Sequence, residues 1–291
     1  MCLNYQASAL RQAAFLDDYV ARYWRDGFAV VRSFFSPAEV QRIASASDRV
    51  YEEGLGHGRS FRHGNLFYNV ASDGAGARFV RMVQWPSYHQ PVLNSVRLDR
   101  RMARLLEPLI GCDLKQIINQ IHWKAPGSLG DFAWHQDSRF RRPAHAFRNL
   151  ATAYVQTGLA LDRHDTESGC LRFIPGSHLR GHLDLEGPGE VLGRAMNDAL
   201  LEAAGLSAGD AVDLRLEPGD LALWSPYLVH GSGRNRSEHR RRLYINGYVR
   251  AEDCDRGEWA FRDGEPVAFG TEPALVHYEA LRERPEPHYP G

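Results

Sequence analysis

Residues 132–140 read Phe-Ala-Trp-His-Gln-Asp-Ser-Arg-Phe, which places His135 two positions before Asp137. Alternate side chains of a β-strand point to the same face, so this spacing aims the imidazole and the carboxylate in one direction. One histidine and one carboxylate are two of the three ligands in the facial triad that holds non-haem iron(II). A hydrogen-bonded pair at the end of a strand explains the same spacing, so the interpretation depends on the rest of the chain.

The composition is that of an ordinary globular protein. The chain has 291 residues, of which 43% are hydrophobic and 24% charged, with a formal net charge of -1. This charge gives no bulk attraction to nucleic acid or to a membrane. The absence of a long apolar run and of a signal-peptide pattern predicts a soluble, cytoplasmic protein. The four cysteines lie far apart, which argues against a zinc ribbon and fits a reducing compartment.

The first 114 residues are predicted to form a mainly helical support. The segment SPAE at residues 36–39 has the serine, proline and glutamate of a capping box, so a helix begins there. Further helices are predicted over residues 8–26 and about 92–110, with a short strand starting at Phe28. The glycine-rich residues 55–69 lie between helices, and we expect them to form a mobile lid.

From residue 115 the sequence changes to short segments of β-branched and aromatic residues separated by turns, which predicts a β-sandwich or barrel with helices packed outside. We expect one domain over residues 1–291, with its β core at 115–250, a helical insertion at about 187–206 and a C-terminal extension at 251–291. The predicted strands are Lys115–Lys124, Ala151–Leu161, Cys170–Ile174, Ala211–Leu216, Leu221–Trp224 and Arg240–Arg250.

His230 is the best candidate for a third metal ligand. It follows an apolar segment and precedes a glycine-rich loop, and such a strand end is a common place for a functional side chain. His239 is the nearest rival, but its neighbours in the segment RSEH are those of a solvated loop.

Arg241 stands eleven positions after His230 in the run Arg240-Arg241-Arg242. On a strand it would share a face with Leu243 and Ile245, and so point into an apolar interior. A buried arginine needs a carboxylate or a comparable partner, and its guanidinium suits a bidentate carboxylate ligand. A shift of one residue would instead nominate one of its two neighbours.

Several short motifs follow one another in order between about Asn119 and Tyr248. They are FAWHQD at 132–137, IPGSH at 174–178, PGD at 218–220, LVHGS at 228–232, and Arg241. This ordered set resembles the phytanoyl-CoA dioxygenase family of Fe(II)/2-oxoglutarate-dependent oxygenases. Lys124-Ala-Pro-Gly is also similar to a lysine-proline-glycine stretch of that family, with one extra alanine.

The resemblance implies a mainly β fold with flanking helices, namely a double-stranded β-helix (jelly roll, cupin-like). It implies iron(II) on His135, Asp137 and His230, with the distal carboxylate of 2-oxoglutarate on Arg241. It also implies O2 as a second cosubstrate, and the release of succinate and carbon dioxide during hydroxylation.

Other candidates for the site come from the same segments. Gln120, His122 and Lys124 share one strand face and are predicted to contact 2-oxoglutarate or substrate, although an exterior charged face explains them equally well. Trp134 is predicted to pack against the site and is grouped with the candidate cofactor-binding residues. His178 is interpreted as a structural residue that orders a turn.

A cluster of arginines follows the metal motif directly. A solvated loop is the ordinary interpretation of such a charge run. The functional interpretation is a clamp for an anionic substrate, a carboxylate or a phosphonate. The cluster consists of Arg139, Arg141, Arg142 and Arg148.

We therefore predict an Fe(II)/2-oxoglutarate-dependent dioxygenase that hydroxylates a small metabolite or a natural-product intermediate. Its partner would be a small-molecule substrate, with neither nucleic acid nor membrane. One alternative is a cupin-like metal-binding protein or isomerase without 2-oxoglutarate turnover, which has no need of an interior Arg241. Another is a catalytically silent relative, against which the intact triad argues.

Overall fold

Two antiparallel sheets form the core of the protein in a computed structural model, which describes residues 18–73, 75–127, 131–185, 196–274 and 276. The larger sheet contains ten strands and the smaller sheet contains four. The arrangement is the predicted jelly roll.

The fourteen strands of the described residues are β1 Phe28–Val31, β2 Phe61–His63, β3 Leu66–Ser72, β4 Arg78–Gln84, β5 Leu114–Lys124, β6 Phe132–His135, β7 Tyr154–Ala160, β8 Leu171–Phe173, β9 Val212–Asp213, β10 Leu221–Trp224, β11 His230–Ser232, β12 Arg241–Arg250, β13 Glu258–Arg262 and β14 Glu265–Pro266. The helices are α1 at residues 18–26, α2 Pro37–Gly56, α3 Pro91–Arg97, α4 Arg100–Ile110, α5 Leu150–Ala153 and α6 Asp198–Ala203. The larger sheet has the order β1-β10-β7-β12-β5-β4-β3-β2, and β13 pairs with β5 and β14 beside this path. The smaller sheet has the order β6-β11-β8-β9.

Strand β12 divides the apolar core into two layers. Leu243 and Ile245 pack with residues of the smaller sheet, between the two sheets. Tyr244 and Tyr248 alternate with them and pack on the opposite face, against residues of α2 and α4. This alternation is the period-2 pattern of a strand that is buried on both faces.

The N-terminal region is only partly as predicted. The capping box is confirmed: Ser36 Oγ accepts a hydrogen bond from the Glu39 amide, and the Glu39 carboxylate accepts one from the Ser36 amide at 2.7 Å. The single helix predicted at 92–110 is wrong, because the chain breaks into α3 and α4. Asp99 caps α4 by accepting a hydrogen bond from the Arg101 amide at 2.8 Å.

The predicted lid at residues 55–69 contains a β-hairpin, β2 to β3, and not a loop between helices. With β4 this hairpin continues the larger sheet beyond β5. The N-terminal region therefore supplies one wall of the sheet as well as helices. The mobility of this segment stays a prediction.

Two further strand boundaries differ from the predictions. The start of the strand predicted at Ala151–Leu161 belongs to helix α5, which ends at Ala153, and β7 begins at Tyr154. Of the segment Ala211–Leu216, only Val212–Asp213 is a strand. Part of the predicted insertion lies outside the described residues, as do residues 8–17, whereas Asp198–Ala203 is helical. The division of the chain into a single domain with an extension stays a prediction.

No helix in the described ranges has the length and apolar character required to cross a membrane.

The Pro-Gly-Asp turn before β10 provides a test of the fold. Gly219 has φ +96°, and a Cβ atom there would overlap the backbone oxygen of Phe35. Gly264 has φ +75° with nothing within 4 Å of its added Cβ, so it shares the left-handed backbone but not the overlap. We expect Gly264→Ala to cost only the strain of a left-handed alanine, roughly 1–3 kcal/mol, and Gly219→Ala to cost distinctly more in the free energy of unfolding. Urea denaturation of both variants measures this difference, and equal losses would contradict the packing of this turn.

Candidate metal centre and cavity

The ends of two paired strands bring the predicted ligands together. His135 is the last residue of β6 and lies opposite His230, the first residue of β11. Asp137 begins a 3-10 turn directly after β6. Its carboxylate oxygens lie 3.7 Å from His135 Nε2 and 3.8 Å from His230 Nε2. The three side chains therefore converge through a turn, and not through the strand alternation predicted from their spacing.

Hydrogen bonds fix the orientation of all three side chains. Nδ1 of His135 lies 2.8 Å from the carbonyl oxygen of Ala133, and Nδ1 of His230 lies 2.9 Å from that of Leu228. Each Nδ1 donates to its carbonyl, which leaves the Nε2 lone pair directed at the space between the rings. Trp224 Nε1 donates to Asp137 Oδ2 at 2.9 Å. The set presents two imidazole nitrogens and one carboxylate towards a single point.

The charge state of these groups suits a metal cation. Burial, with the nearby His230, lowers the pKa of His135 to about 3, so its imidazole is neutral at neutral pH. Burial alone would raise the pKa of Asp137, but His230, His135 and Arg141 outweigh it and hold the pKa below its usual value. The candidate ligand atoms all lie within 4.8 Å of one another, so one ion could be held by all three residues.

Arg241 points into the same interior, as predicted. It is only 2% exposed, and its Nε and Nη2 atoms have no hydrogen-bond partner among the described residues. Burial lowers its pKa to about 10, so the guanidinium stays charged at neutral pH. Its neighbours point to the other face of the sheet: the buried Arg242 pairs with Asp162 at 2.8 Å, and Arg240 pairs with a carboxylate of helix α2.

One cavity of about 510 Å³ connects the metal-ligand triad with Arg241. It lies between the two sheets, and the hairpin β2–β3 with strand β4 borders it. Its lining comprises Arg62, Phe67, Asn69, Met82, Gln84, Ile118, Gln120, His122, Phe132, His135, Asp137, Arg139, Phe140, Arg141, Gln156, Leu171, Trp224, His230, Ser232, Arg241, Leu243 and Ile245.

Of the secondary candidates, Gln120 and His122 line the cavity and Lys124 does not. Lys124 Nζ donates to Ser232 Oγ at 2.7 Å and to a backbone carbonyl of the loop after β11. Trp134 lies outside the cavity, contrary to the prediction. It packs with Ile174 and its neighbours, and its indole donates to Asp198. A bulge in the β6–β11 pairing explains why Phe132 and His135 both face the cavity while Trp134 does not.

The predicted arginine cluster separates into two pairs. Arg139 and Arg141 line the cavity. Arg142 is exposed and donates to the carbonyl oxygen of Arg141, and Arg148 forms an exposed ion pair with Asp255. The outer pair is the ordinary solvated charge, and only the inner pair can reach a ligand.

Two histidines fall outside the site, in agreement with their predicted roles. His178 Nε2 contacts the carbonyl oxygen of Trp24 at 3.1 Å, which ties a turn to helix α1. His239 is exposed in the loop before β12.

Sequence reasoning missed the wall formed by β3 and β4. Phe67 and Asn69 face the cavity, whereas Leu66 and Tyr68 alternate with them and are fully buried in the core. Met82 and Gln84 continue the wall on the next strand. The period-2 alternation in LFYNVAS is a usable signal for this strand, although the glycines and histidines before it resemble a loop.

The chain is similar in sequence to known proteins. The profile of the family described as Phytanoyl-CoA dioxygenase (PhyH) matches residues 23–243. Dioxygenase lolE1 of Epichloe uncinata is 27% identical over 60% of this chain, and the match spans 60% of that relative. The 2-aminoethylphosphonate dioxygenase of the uncultured bacterium HF130_AEPn_1 is 26% identical over 82% of this chain and 84% of the relative. The methylphosphonate hydroxylase of Gimesia maris is 28% identical over 84% of each chain.

The fold is similar to solved structures as well. The epimerase SnoN in complex with Fe3+, alpha ketoglutarate and nogalamycin RO has a TM-score of 0.60 and 23% identity, covering 89% of this chain and 95% of SnoN. EctD from S. alaskensis, with 2-oxoglutarate and 5-hydroxyectoine, has a TM-score of 0.62 and 19% identity, covering 88% of this chain and 87% of EctD. At these identities the similarity establishes the shared fold.

The hydrogen bond from Trp224 to Asp137 gives a prediction for the metal centre. We expect Trp224→Phe to weaken cobalt(II) binding roughly 10-fold, because it removes the donor that orients the carboxylate and keeps most of the ring packing. Trp123→Phe is the matched control, since Trp123 is buried outside the cavity and its indole nitrogen has no partner among the described residues. Calorimetric titration with cobalt(II) measures both, and equal affinities for the two variants would contradict the role of the indole.

Proposed function

We propose that this chain, which belongs to the phytanoyl-CoA dioxygenase family, is an Fe(II)- and 2-oxoglutarate-dependent dioxygenase that hydroxylates a small metabolite. The observation that carries the proposal is the combination found in one cavity. Two histidines and a carboxylate line the same space as a buried guanidinium whose Nε and Nη2 atoms have no acceptor among the described residues. The first suits a divalent cation and the second suits an anionic cosubstrate.

The donor set fits iron(II). His135, Asp137 and His230 would hold the ion on one side and leave its remaining positions open to the cavity. When bound, iron and 2-oxoglutarate supply the oxidising chemistry, with O2 consumed and succinate and carbon dioxide released. The role of the chain is to orient these ligands: the backbone carbonyls hold the imidazoles, and the Trp224 indole holds the carboxylate.

Arg241 would bind the distal carboxylate of 2-oxoglutarate. Its two unpartnered atoms, Nε and Nη2, carry the parallel N–H bonds along one edge of the guanidinium. A carboxylate accepts such a pair of donors in a bidentate arrangement. Leaving the guanidinium buried and unmatched would cost free energy, so a ligand that supplies this carboxylate is strongly favoured.

His122 would support the same cosubstrate as a neutral donor. It lies on β5, opposite Leu243 of β12, and its Nε2 atom is buried without a partner among the described residues. Burial, with Arg241 and Lys124 nearby, lowers its pKa to about 3. The imidazole therefore carries no charge at neutral pH and can donate a hydrogen bond to an oxygen of the bound 2-oxoglutarate.

The alternatives fit the cavity less well. A cupin-like protein without 2-oxoglutarate turnover would leave the buried charge of Arg241 unexplained. A silent relative would not need all three ligands held by a second set of hydrogen bonds. The phosphonates in the names of two relatives, and the cavity volume of about 510 Å³, support a small-molecule substrate. The cytoplasmic location stays a prediction from composition.

The triad gives the first test of this function. We expect Asp137→Ala to abolish 2-oxoglutarate turnover, because the only carboxylate ligand is lost, and to leave the fold intact. Succinate release measures turnover, and circular dichroism with the thermal midpoint reports the fold. Retained turnover in the variant would remove Asp137 from the site.

Arg241 gives the second test. We expect Arg241→Gln to weaken 2-oxoglutarate binding roughly 100-fold or more, since two charge-assisted hydrogen bonds are lost. The measurement is the visible charge-transfer band of the chelated keto acid, titrated with 2-oxoglutarate in the iron(II)-loaded protein without oxygen. Arg240→Gln is the matched control, because Arg240 stands one residue away on the outer face. Equal affinities in the two variants would exclude Arg241 as the carboxylate ligand.

A further inference from the structure

A second buried cation lines the cavity. Arg141 is 3% exposed, and no described residue accepts a hydrogen bond from its guanidinium, whose Nε atom is buried and unpartnered. Its guanidinium carbon lies 5.3 Å from the centre of the Tyr154 ring. It lies near enough to Asp137 to help lower the pKa of that carboxyl, and Asp137 is already used by the metal centre. Among the described residues, no carboxylate forms an ion pair with Arg141, so its charge has no partner of its own there.

Arg141 lies at the opposite end of the cavity from Arg241. Its aromatic neighbour Tyr154 begins β7 and pairs with Val249, whereas Arg241 begins β12. Val249 and Arg241 are eight residues apart on β12, which is about 26 Å between their Cα atoms at the rise of a strand. The 2-oxoglutarate molecule that Arg241 would bind cannot reach both arginines through its distal carboxylate.

A charge balance shows what Arg141 lacks. Iron(II), Asp137, the 2-oxoglutarate dianion and Arg241 together carry no net charge. Once these groups are in place, the positive charge of Arg141 remains in a buried site, where an uncompensated charge is costly. A ligand that brings one negative charge to this end of the cavity removes the cost.

Gln156 provides a matching neutral donor beside Arg141. The Tyr154 hydroxyl donates to Gln156 Oε1, so the amide nitrogen of Gln156 remains available to a ligand in the cavity. Gly247 makes this arrangement sterically feasible, because a Cβ atom there would overlap both the Tyr154 hydroxyl and Gln156 Oε1. The absence of a side chain at position 247 therefore allows Tyr154 to hydrogen-bond Gln156 while its ring packs against Arg141.

We propose that Arg141 binds a negatively charged oxygen group of the substrate, a carboxylate or a phosphonate, and that Gln156 donates a further hydrogen bond to it. The proposal rests on the proposed function and names its substrate class. The anionic group is held at the Tyr154 end, which leaves the neighbouring carbon of a small substrate facing the metal ligands. Arg142 and Arg148 take no part, since they lie outside the cavity.

The test uses binding to the zinc(II)-loaded protein saturated with 2-oxoglutarate, a state that does not turn over. The probes are methylphosphonate, 2-aminoethylphosphonate, propionate and the neutral propionamide, each titrated by calorimetry. We expect wild-type protein to bind at least one anion and not propionamide, and the class that binds identifies the oxyanion. Arg141→Gln should weaken that binding roughly 10- to 100-fold, as expected for loss of charge-assisted hydrogen bonds.

Three variants separate this role from a structural one. Arg142→Gln removes the same charge one residue away and should leave anion binding unchanged. Arg141→Lys should retain part of the affinity for the anion, since the positive charge is kept but the paired N–H donors of the guanidinium are lost. Gln156→Glu keeps the size of the side chain and should abolish anion binding, because it adds a competing negative charge.

Three results would overturn the proposal. The first is unchanged anion binding in Arg141→Gln, and the second is no anion binding by wild-type protein at millimolar concentration. The third is a loss of 2-oxoglutarate affinity in Arg141→Gln, which would assign this arginine to the cosubstrate. Failure of wild-type protein to bind 2-oxoglutarate would instead contradict the proposed function, and the anion titration of the zinc(II)-loaded protein would still decide the role of Arg141.

Discussion

Arg241 carries a positive charge into the interior of a jelly roll, where no described residue accepts its Nε and Nη2 hydrogens. Burial of a charge without a partner is costly, so the folded chain is most stable with an anion in this place. The register of β12 enforces the position. Arg242 is held outwards by Asp162 and Asp48, and the residue before it on the strand must then face inwards. The ion pairs of Arg242 on one face of the sheet thus hold Arg241 on the face that lines the cavity.

The metal ligands depend on the opposite sheet. Antiparallel pairing of β6 with β11 sets His135 beside His230, and the turn after β6 brings Asp137 against both. The indole of Trp224 reaches the same carboxylate from the larger sheet. Because the larger sheet supplies the indole that orients one ligand of the triad, the distance between the sheets affects both the metal geometry and the width of the cavity. Packing of the core between the sheets therefore also sets the position of Trp224, and through it the orientation of Asp137.

The sequence predicted the parts of the site that lie on regular, fully paired strands. Strand alternation placed Arg241 with Leu243 and Ile245, and the structure agrees because β12 is paired on both sides. The same rule failed for Asp137, which shares the site with His135 through the 3-10 turn that follows β6 and not through strand alternation.

Other features depend on contacts that are distant in sequence. Residues 55–69 resemble a loop in composition and form a hairpin only because β4 offers an edge to pair with. A run of arginines does not reveal which member turns inwards. Arg141 turns into the cavity because it follows the 3-10 turn Asp137–Phe140 and packs over the ring of Tyr154.

The most direct test of this account is an anaerobic crystal structure of the protein with manganese(II) and 2-oxoglutarate. The account predicts one metal ion on His135, Asp137 and His230, with the distal carboxylate of 2-oxoglutarate paired to the Nε and Nη2 edge of Arg241. A metal ion bound elsewhere, or a 2-oxoglutarate carboxylate that leaves Arg241 without an acceptor, would contradict it.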